Sequence, residues 1–180
     1  MVWKKPVVDT IVLPAHAETT DMTPPVQTTP DPCPSTTGFS GNFAAQNWMA
    51  SNTSAGNGTV DTNGAPGSII ITSGALDGSC PINETLFCIT IPCSGTISFD
   101  WNFDTDDVNL PGQFPFFEEF GTNINSTFNS LANSAAVPAA NAGETVNVNA
   151  GDVFCFSNMT NDCQAGPGIT TISNFSFTPS

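Results

Sequence analysis

Apolar residues recur along most of the chain at every second position, in short runs cut by glycine, asparagine, serine and proline, and this spacing predicts strands. The clearest run spans residues 96–103. Ile97, Phe99, Trp101 and Phe103 fall on one side of it and Ser98, Asp100 and Asn102 on the other, which predicts a strand across a core with one wet face. Residues 68–72, entered from Gly64-Ala65-Pro66-Gly67, predict a buried strand. Further strands are expected at 85–91, around Val146 and Val148, from Val153 to Phe156 after the Gly151-Asp152 turn, and at 169–177. Phe39, Phe43 and Trp48 open the region with aromatic side chains, and residues 104–120 interrupt it as an insertion of acids and aromatics. An Asn/Ser-rich stretch at 121–134 and small residues from Ala135 to Ala142 follow. Residues 64–72 echo 165–173, which shared turn chemistry explains without a true repeat. Seven or more short strands divided by turn signals predict an all-β fold. It is an antiparallel β-sandwich, jelly-roll or Ig-like, with a barrel as the alternative.

Ahead of this domain, residues 38–180, the pattern changes twice. Residues 18–37 are rich in threonine and proline with little apolar content, and predict an extended connector whose twenty residues reach about 60 Å in polyproline geometry. Residues 1–17 carry Val7, Val8, Thr10, Ile11, Val12 and Leu13 around Asp9, bracketed by Pro6 and Pro14. This segment reads two ways. The basic flank Lys4-Lys5 and the Ala15-His16-Ala17 ending fit a cleaved secretion signal. The β-branched centre fits a strand, with Val8, Thr10 and Val12 on one face and Val7, Ile11 and Leu13 on the other, able to pair with a sheet edge elsewhere.

Composition narrows the partners. Lys4 and Lys5 face sixteen acids for a formal charge of -14 with no arginine, which excludes a nucleic-acid ligand and disfavours an anionic membrane. No stretch approaches the roughly 20 apolar residues of a membrane span. Six cysteines, Cys33, Cys80, Cys88, Cys93, Cys155 and Cys163, lack a CxxC pair and have one histidine in the whole chain beside them, so disulfides in an oxidising, extracellular setting are expected over zinc. Cys88 and Cys93 bracket an extended run too long to bridge. Cys80 to Cys88 and Cys155 to Cys163 share one offset, which favours Cys155–Cys163 as a loop staple and Cys80–Cys88 as a weaker second. Cys33 is expected to anchor the connector's far end.

Candidate chemistry is sparse. His16 lies far from any acid cluster, and adjacent Glu118 and Glu119 diverge if extended, so neither nucleophilic nor glycosidic catalysis is expected and the chain reads as a non-enzyme. Asp104, Asp106 and Asp107, with Asp100 and Asn102 upstream, gather hard oxygen ligands suited to calcium, against the reading of a solvated acidic face. Six Asn-x-Ser/Thr sequons begin at Asn52, Asn57, Asn83, Asn125, Asn158 and Asn174. Phe114-Pro115-Phe116-Phe117 is either core or a sticky patch.

The residues Asn47-Trp48, Gly64-Ala65-Pro66-Gly67, Gly95 to Trp101, Ala150 to Phe154 and Ile172 to Phe175 resemble the β-sandwich modules of secreted bacterial surface and adhesin-like proteins, over about residues 38–178. The layout of strand, spacer and sandwich is similar to donor-strand pilins and extracellular filament subunits. That resemblance implies a subunit of a pilus- or fimbria-like filament at the cell surface, polymerising head-to-tail with itself by donor-strand insertion. The alternative is a monomeric secreted module that binds surface glycans, with residues 1–17 removed.

Overall fold

The structure, a computed structural model, describes residues 33–74, 82–105, 118–134, 139–160 and 166–180. The six donor-strand candidates between Val7 and Leu13, together with Lys4, Lys5, His16, Cys80, Asp106, Asp107, Phe114 to Phe117 and Cys163, lie outside the described residues.

A strand with one apolar side is stable only when a second sheet covers that side. The alternating runs supply two such sheets. They are built from β1 (Thr36–Thr37), β2 (Met49–Asn52), β3 (Thr59–Asp61), β4 (Ser68–Thr72), β5 (Asn83–Thr90), β6 (Gly95–Asp104), β7 (Glu118–Ile124), β8 (Thr127–Asn133), β9 (Ala139–Val148), β10 (Val153–Thr160) and β11 (Ile169–Pro179). The first sheet runs β3-β4-β11-β6-β9 with β1 beside β11, and the second β2-β5-β10-β7-β8. Every pair is antiparallel. From β4 onward the chain crosses between sheets at each step except the β7–β8 hairpin, which gives the two nested Greek keys of a jelly roll. Neither sheet closes into a barrel.

Residues 33–37, placed in the connector by composition, are part of this sandwich, since Cys33 is bonded to Cys93 and β1 pairs with β11 at Phe177 and Ser176. The disulfide expectations are overturned at Cys88 and Cys155. These residues face each other across β5 and β10 and bond to one another, with 4.0 Å between their Cα atoms, which excludes both Cys80–Cys88 and Cys155–Cys163. The 121–134 stretch is also more ordered than its composition suggests. Asn125 and Ser126 both have positive φ, at 51° and 70°, so they form the two-residue turn whose twist suits a tight hairpin between β7 and β8.

The interior changes character from one end to the other. Near the β5–β6 connection it is aromatic. Trp48 stacks on Phe87 and Phe156 at 5.1 and 5.5 Å and donates its indole N–H to the Phe43 carbonyl at 3.0 Å. Phe43 and Phe39 pack on Phe177 and Phe175. At the opposite end the inward row of the second sheet is Asn83, Thr160 and Glu118. Ser73, just beyond β4, donates its hydroxyl to the buried Glu118 carboxylate at 2.6 Å and accepts the Gly168 N–H at 2.9 Å. Asn158 bridges the Ile71 and Gly168 carbonyls through its amide nitrogen at 3.1 and 3.0 Å. The sheets are therefore joined by dispersion at one end and by hydrogen bonds at the other.

Candidate functional site

Because Ile97, Phe99, Trp101 and Phe103 all point into the core, the residues between them on β6 point out. Register carries that side across the sheet. Asp100 stands opposite Ser173 on β11 and Gly143 on β9, Asn102 opposite Thr171 and Asn141, and Ser98 opposite Ser176 and Thr145. All are exposed or half-buried. Around β6 the outer face of the first sheet is thus a field of hydroxyl, amide and carboxylate groups, with the exposed Ile70 of β4 beyond Thr171, and it is knitted by Thr96 Oγ1 donating to Asn147 Oδ1 at 3.1 Å and by Ser98 Oγ lying 3.2 Å from Thr145 Oγ1.

One place on this face is irregular. Inward residues on β11 step from Thr170 and Ile172 to Phe175 and Phe177, an odd interval that requires a bulge, and the register against β6 shifts between Ser173 and Ser176. Asn174 takes a positive φ of 49° at the bulge and turns its side chain outward, where Nδ2 donates to Asp100 Oδ2 at 2.7 Å. A Cβ on Gly143 would lie 3.0 Å from Asp100 Oδ1, so glycine leaves that oxygen uncovered.

Next to Asn174, β4 stops pairing with β11 and β1 takes over. The gap is a depression of about 440 Å3 lined by Thr37, Gly38, Pro66, Gly67, Asn174, Phe175 and Ser176. Backbone bonds fix its walls: Gly38 N–H donates to the Phe175 carbonyl at 2.7 Å and Phe39 N–H to the Pro66 carbonyl at 2.9 Å. Gly38 has φ +66° and a Cβ there would collide with Pro66, so the wall requires glycine. The Ala65–Pro66 peptide is cis. Together the depression and the Asp100–Asn174 pair offer acceptors, donors and a rigid recess on one exposed surface.

The outer face of the second sheet differs. Ser157 points outward between Leu86 and Gly121 yet is 0% exposed. The Phe128 ring lies over Gly121, 2.7 Å from where a Cβ would sit, and the Cys88–Cys155 bond occupies the neighbouring rung.

The sequence-derived candidates fare unevenly. Asp104 ends β6 exposed, beside a shallow hollow of about 90 Å3 with Thr105, Pro167 and Ile169. No group of three His, Cys, Asp or Glu side chains able to hold a metal occurs among the described residues. Glu118 and Glu119 diverge as expected of an extended pair, one buried and one half-buried on the other side of β7. Of the sequon asparagines, Asn83 and Asn158 are 1% and 0% exposed and inaccessible to a glycan in the folded chain. The Asn174–Gly143 arrangement was missed. The signal for it is the odd interval between Ile172 and Phe175, which breaks an otherwise even alternation.

No protein-family model matches the sequence, and no curated protein matches it. Among solved structures, the chain is similar to a family 29 carbohydrate-binding module at 12% identity and TM-score 0.42, over 80% of this chain and 87% of that one. It is similar to a carbohydrate-binding module described for specific mannan recognition at 12% identity and TM-score 0.43, over 81% and 98%. It is also similar to a cleaved adhesin domain of Lys-gingipain from Porphyromonas gingivalis W83 at 13% identity and TM-score 0.41, over 82% and 99%. At these values the likeness transfers no ligand and no residue role.

Proposed function

We propose that the chain is a non-catalytic extracellular module that binds neutral glycans on the outer face of its first sheet. The observation that carries this reading is the Asp100–Asn174 pair, open over Gly143 and beside a backbone-walled recess. A sugar presents neighbouring hydroxyls that donate and accept together, and a carboxylate held next to an amide satisfies both roles. Two lysines stand against sixteen acids in the chain, so a phosphate or sulfate ligand would meet a strong excess of negative charge. Two disulfides support folding in an oxidising compartment.

Among the described residues no aromatic ring is exposed on the outer face of the first sheet, so at the Asp100–Asn174 pair hydrogen bonds supply the affinity, against the cost of dehydrating both partners. Dissociation constants on the order of 1 mM per site are expected, which is about 4 kcal/mol. Affinity electrophoresis and titration calorimetry against neutral mannan, glucan and xylan, with an anionic polysaccharide as control, test the reading. Asp100→Ala and Asn174→Gly, the latter compatible with the positive φ, are expected to weaken retention by the neutral polymer about tenfold, a loss of about 1.4 kcal/mol. Retention unchanged in both variants, or favouring the anionic polymer, refutes it.

A further inference from the structure

A cleft of about 330 Å3 opens between β8 and β9, the edge strands of the two sheets, and its size falls within the range of small-ligand sites. Its floor is apolar, because Ile124 and Val146 pack against the core from this side. Register places the rest of the lining. Thr127 stands opposite Ile124 and Asn129 opposite Thr122, while on β9 the row of Val146, which pairs with the buried Ile97, also carries Glu144 opposite the buried Phe99. A carboxylate on a core-facing row is the anomaly. Thr122, Thr127, Asn129 and Glu144 all line the cleft, and their side chains make no hydrogen bond or ion pair among the described residues. The outward neighbours on β9 differ, since Thr145 lies against Ser98 and Asn147 accepts from Thr96. An inward charge on an edge strand also discourages strand pairing. That role asks for neither a cavity nor three further unpaired polar side chains across it.

We infer that this cleft is a second binding site, for an amino sugar that carries a free ammonium group. The lining sets the ligand's chemistry. Glu144 calls for a cation, and a chain with sixteen acids and two lysines disfavours an anion. The apolar floor disfavours a bare metal ion, which needs oxygen ligands on several sides. An ammonium group donates three hydrogen bonds, and its bond to a carboxylate is stronger than one between neutral groups. A sugar ring that bears it also offers a C–H face to Ile124 and Val146 and hydroxyls to Thr127 and Asn129, side chains that a plain alkylammonium leaves to water. Glu144 lies on the inner side of the first sheet and Asp100 on its outer side, so the two sites share no side chain and neither reading depends on the other.

Titration calorimetry and nitrogen-15 NMR of the full-length chain with the glucosamine dimer, its N-acetylated counterpart and n-butylammonium test it. The glucosamine dimer is expected to bind saturably, to shift the amides of Ile124, Thr127, Asn129 and Val146, and to bind about tenfold more tightly than either of the others. Glu144→Gln is expected to weaken that binding about tenfold, and Asn129→Ala, at an exposed position, about threefold, with the melting temperature unchanged in both. Glu84→Gln removes the same charge from the outer face of the second sheet and is expected to change nothing. An equal loss in Glu84→Gln overturns the inference, because it marks a diffuse attraction to an acidic chain. Equal binding of the N-acetylated dimer or of n-butylammonium overturns it as well, as does the absence of saturable shifts along the cleft.

Discussion

The two outer faces of the sandwich each contain a glycine where neighbouring positions carry side chains, and the two glycines serve opposite ends. At Gly121 the space is filled by the Phe128 ring, Ser157 opposite Gly121 is fully buried, and a disulfide braces the adjacent rung. At Gly143 the space is left to one oxygen of Asp100, whose other oxygen is held by Asn174. The first arrangement removes a polar face from water. The second keeps a charged group in water while restricting its orientation, which stabilises the fold little and suits a ligand that brings its own hydrogen bonds.

Substitutions at the two glycines separate these roles. Gly121→Ala is expected to have the largest effect on stability, about 1–3 kcal/mol, because the new Cβ meets the Asn129 carbonyl and the Phe128 ring; thermal and urea unfolding measure it. Gly143→Leu is expected to leave the melting temperature nearly unchanged and to abolish retention by glycan, since the side chain displaces Asp100 Oδ1 from the open space. Equal destabilisation by the two would erase the distinction between the faces. The smallest effect is expected where the sheets meet at a surface turn. Asp152 accepts hydrogen bonds from the Asn149 backbone N–H at 2.7 Å and from Asn125 Nδ2 at 2.7 Å, and these hold its carboxyl below the usual carboxylate range. A depressed value means that the charged form is favoured in the folded chain, so the contribution is present at neutral pH and is lost as pH falls through the folded value. Asp152→Asn is expected to lower the melting temperature slightly at pH 7, and the gap from the native chain is expected to narrow in acid.

Much of the fold was legible because its strands alternate. Ser68–Thr72 and the inward set of β6 follow directly from period two, and the Phe39, Phe43 and Trp48 opening is buried as its composition implies. The β7–β8 hairpin was not legible, because its outward positions and turn are asparagine and serine and its register shift breaks the period. Cysteine spacing was read under the wrong geometry. The offset of eight residues was read as a link within one stretch of chain, whereas Cys88 and Cys155 form a rung between two antiparallel strands. The candidate site was hidden for a related reason. Asp100 and Asn102 were visible as acids and amides on an outward side, and suggested calcium, but what isolates Asp100 is a glycine on another strand and a bulge on a third. Such a meeting depends on register, which a single sequence does not display.

The most direct measurement is a nitrogen-15 NMR titration of the isotope-labelled full-length chain with a soluble oligosaccharide of the retained polymer. Glycan binding on the first sheet predicts saturable shifts at the amides of Ser98, Asp100, Gly143, Asn174 and Ser176, with Gly121, Phe128 and Ser157 unmoved. Shifts centred on Gly121 and Ser157, or an unchanged spectrum at tens of millimolar ligand, which is about ten times the dissociation constant expected for the site, would contradict it.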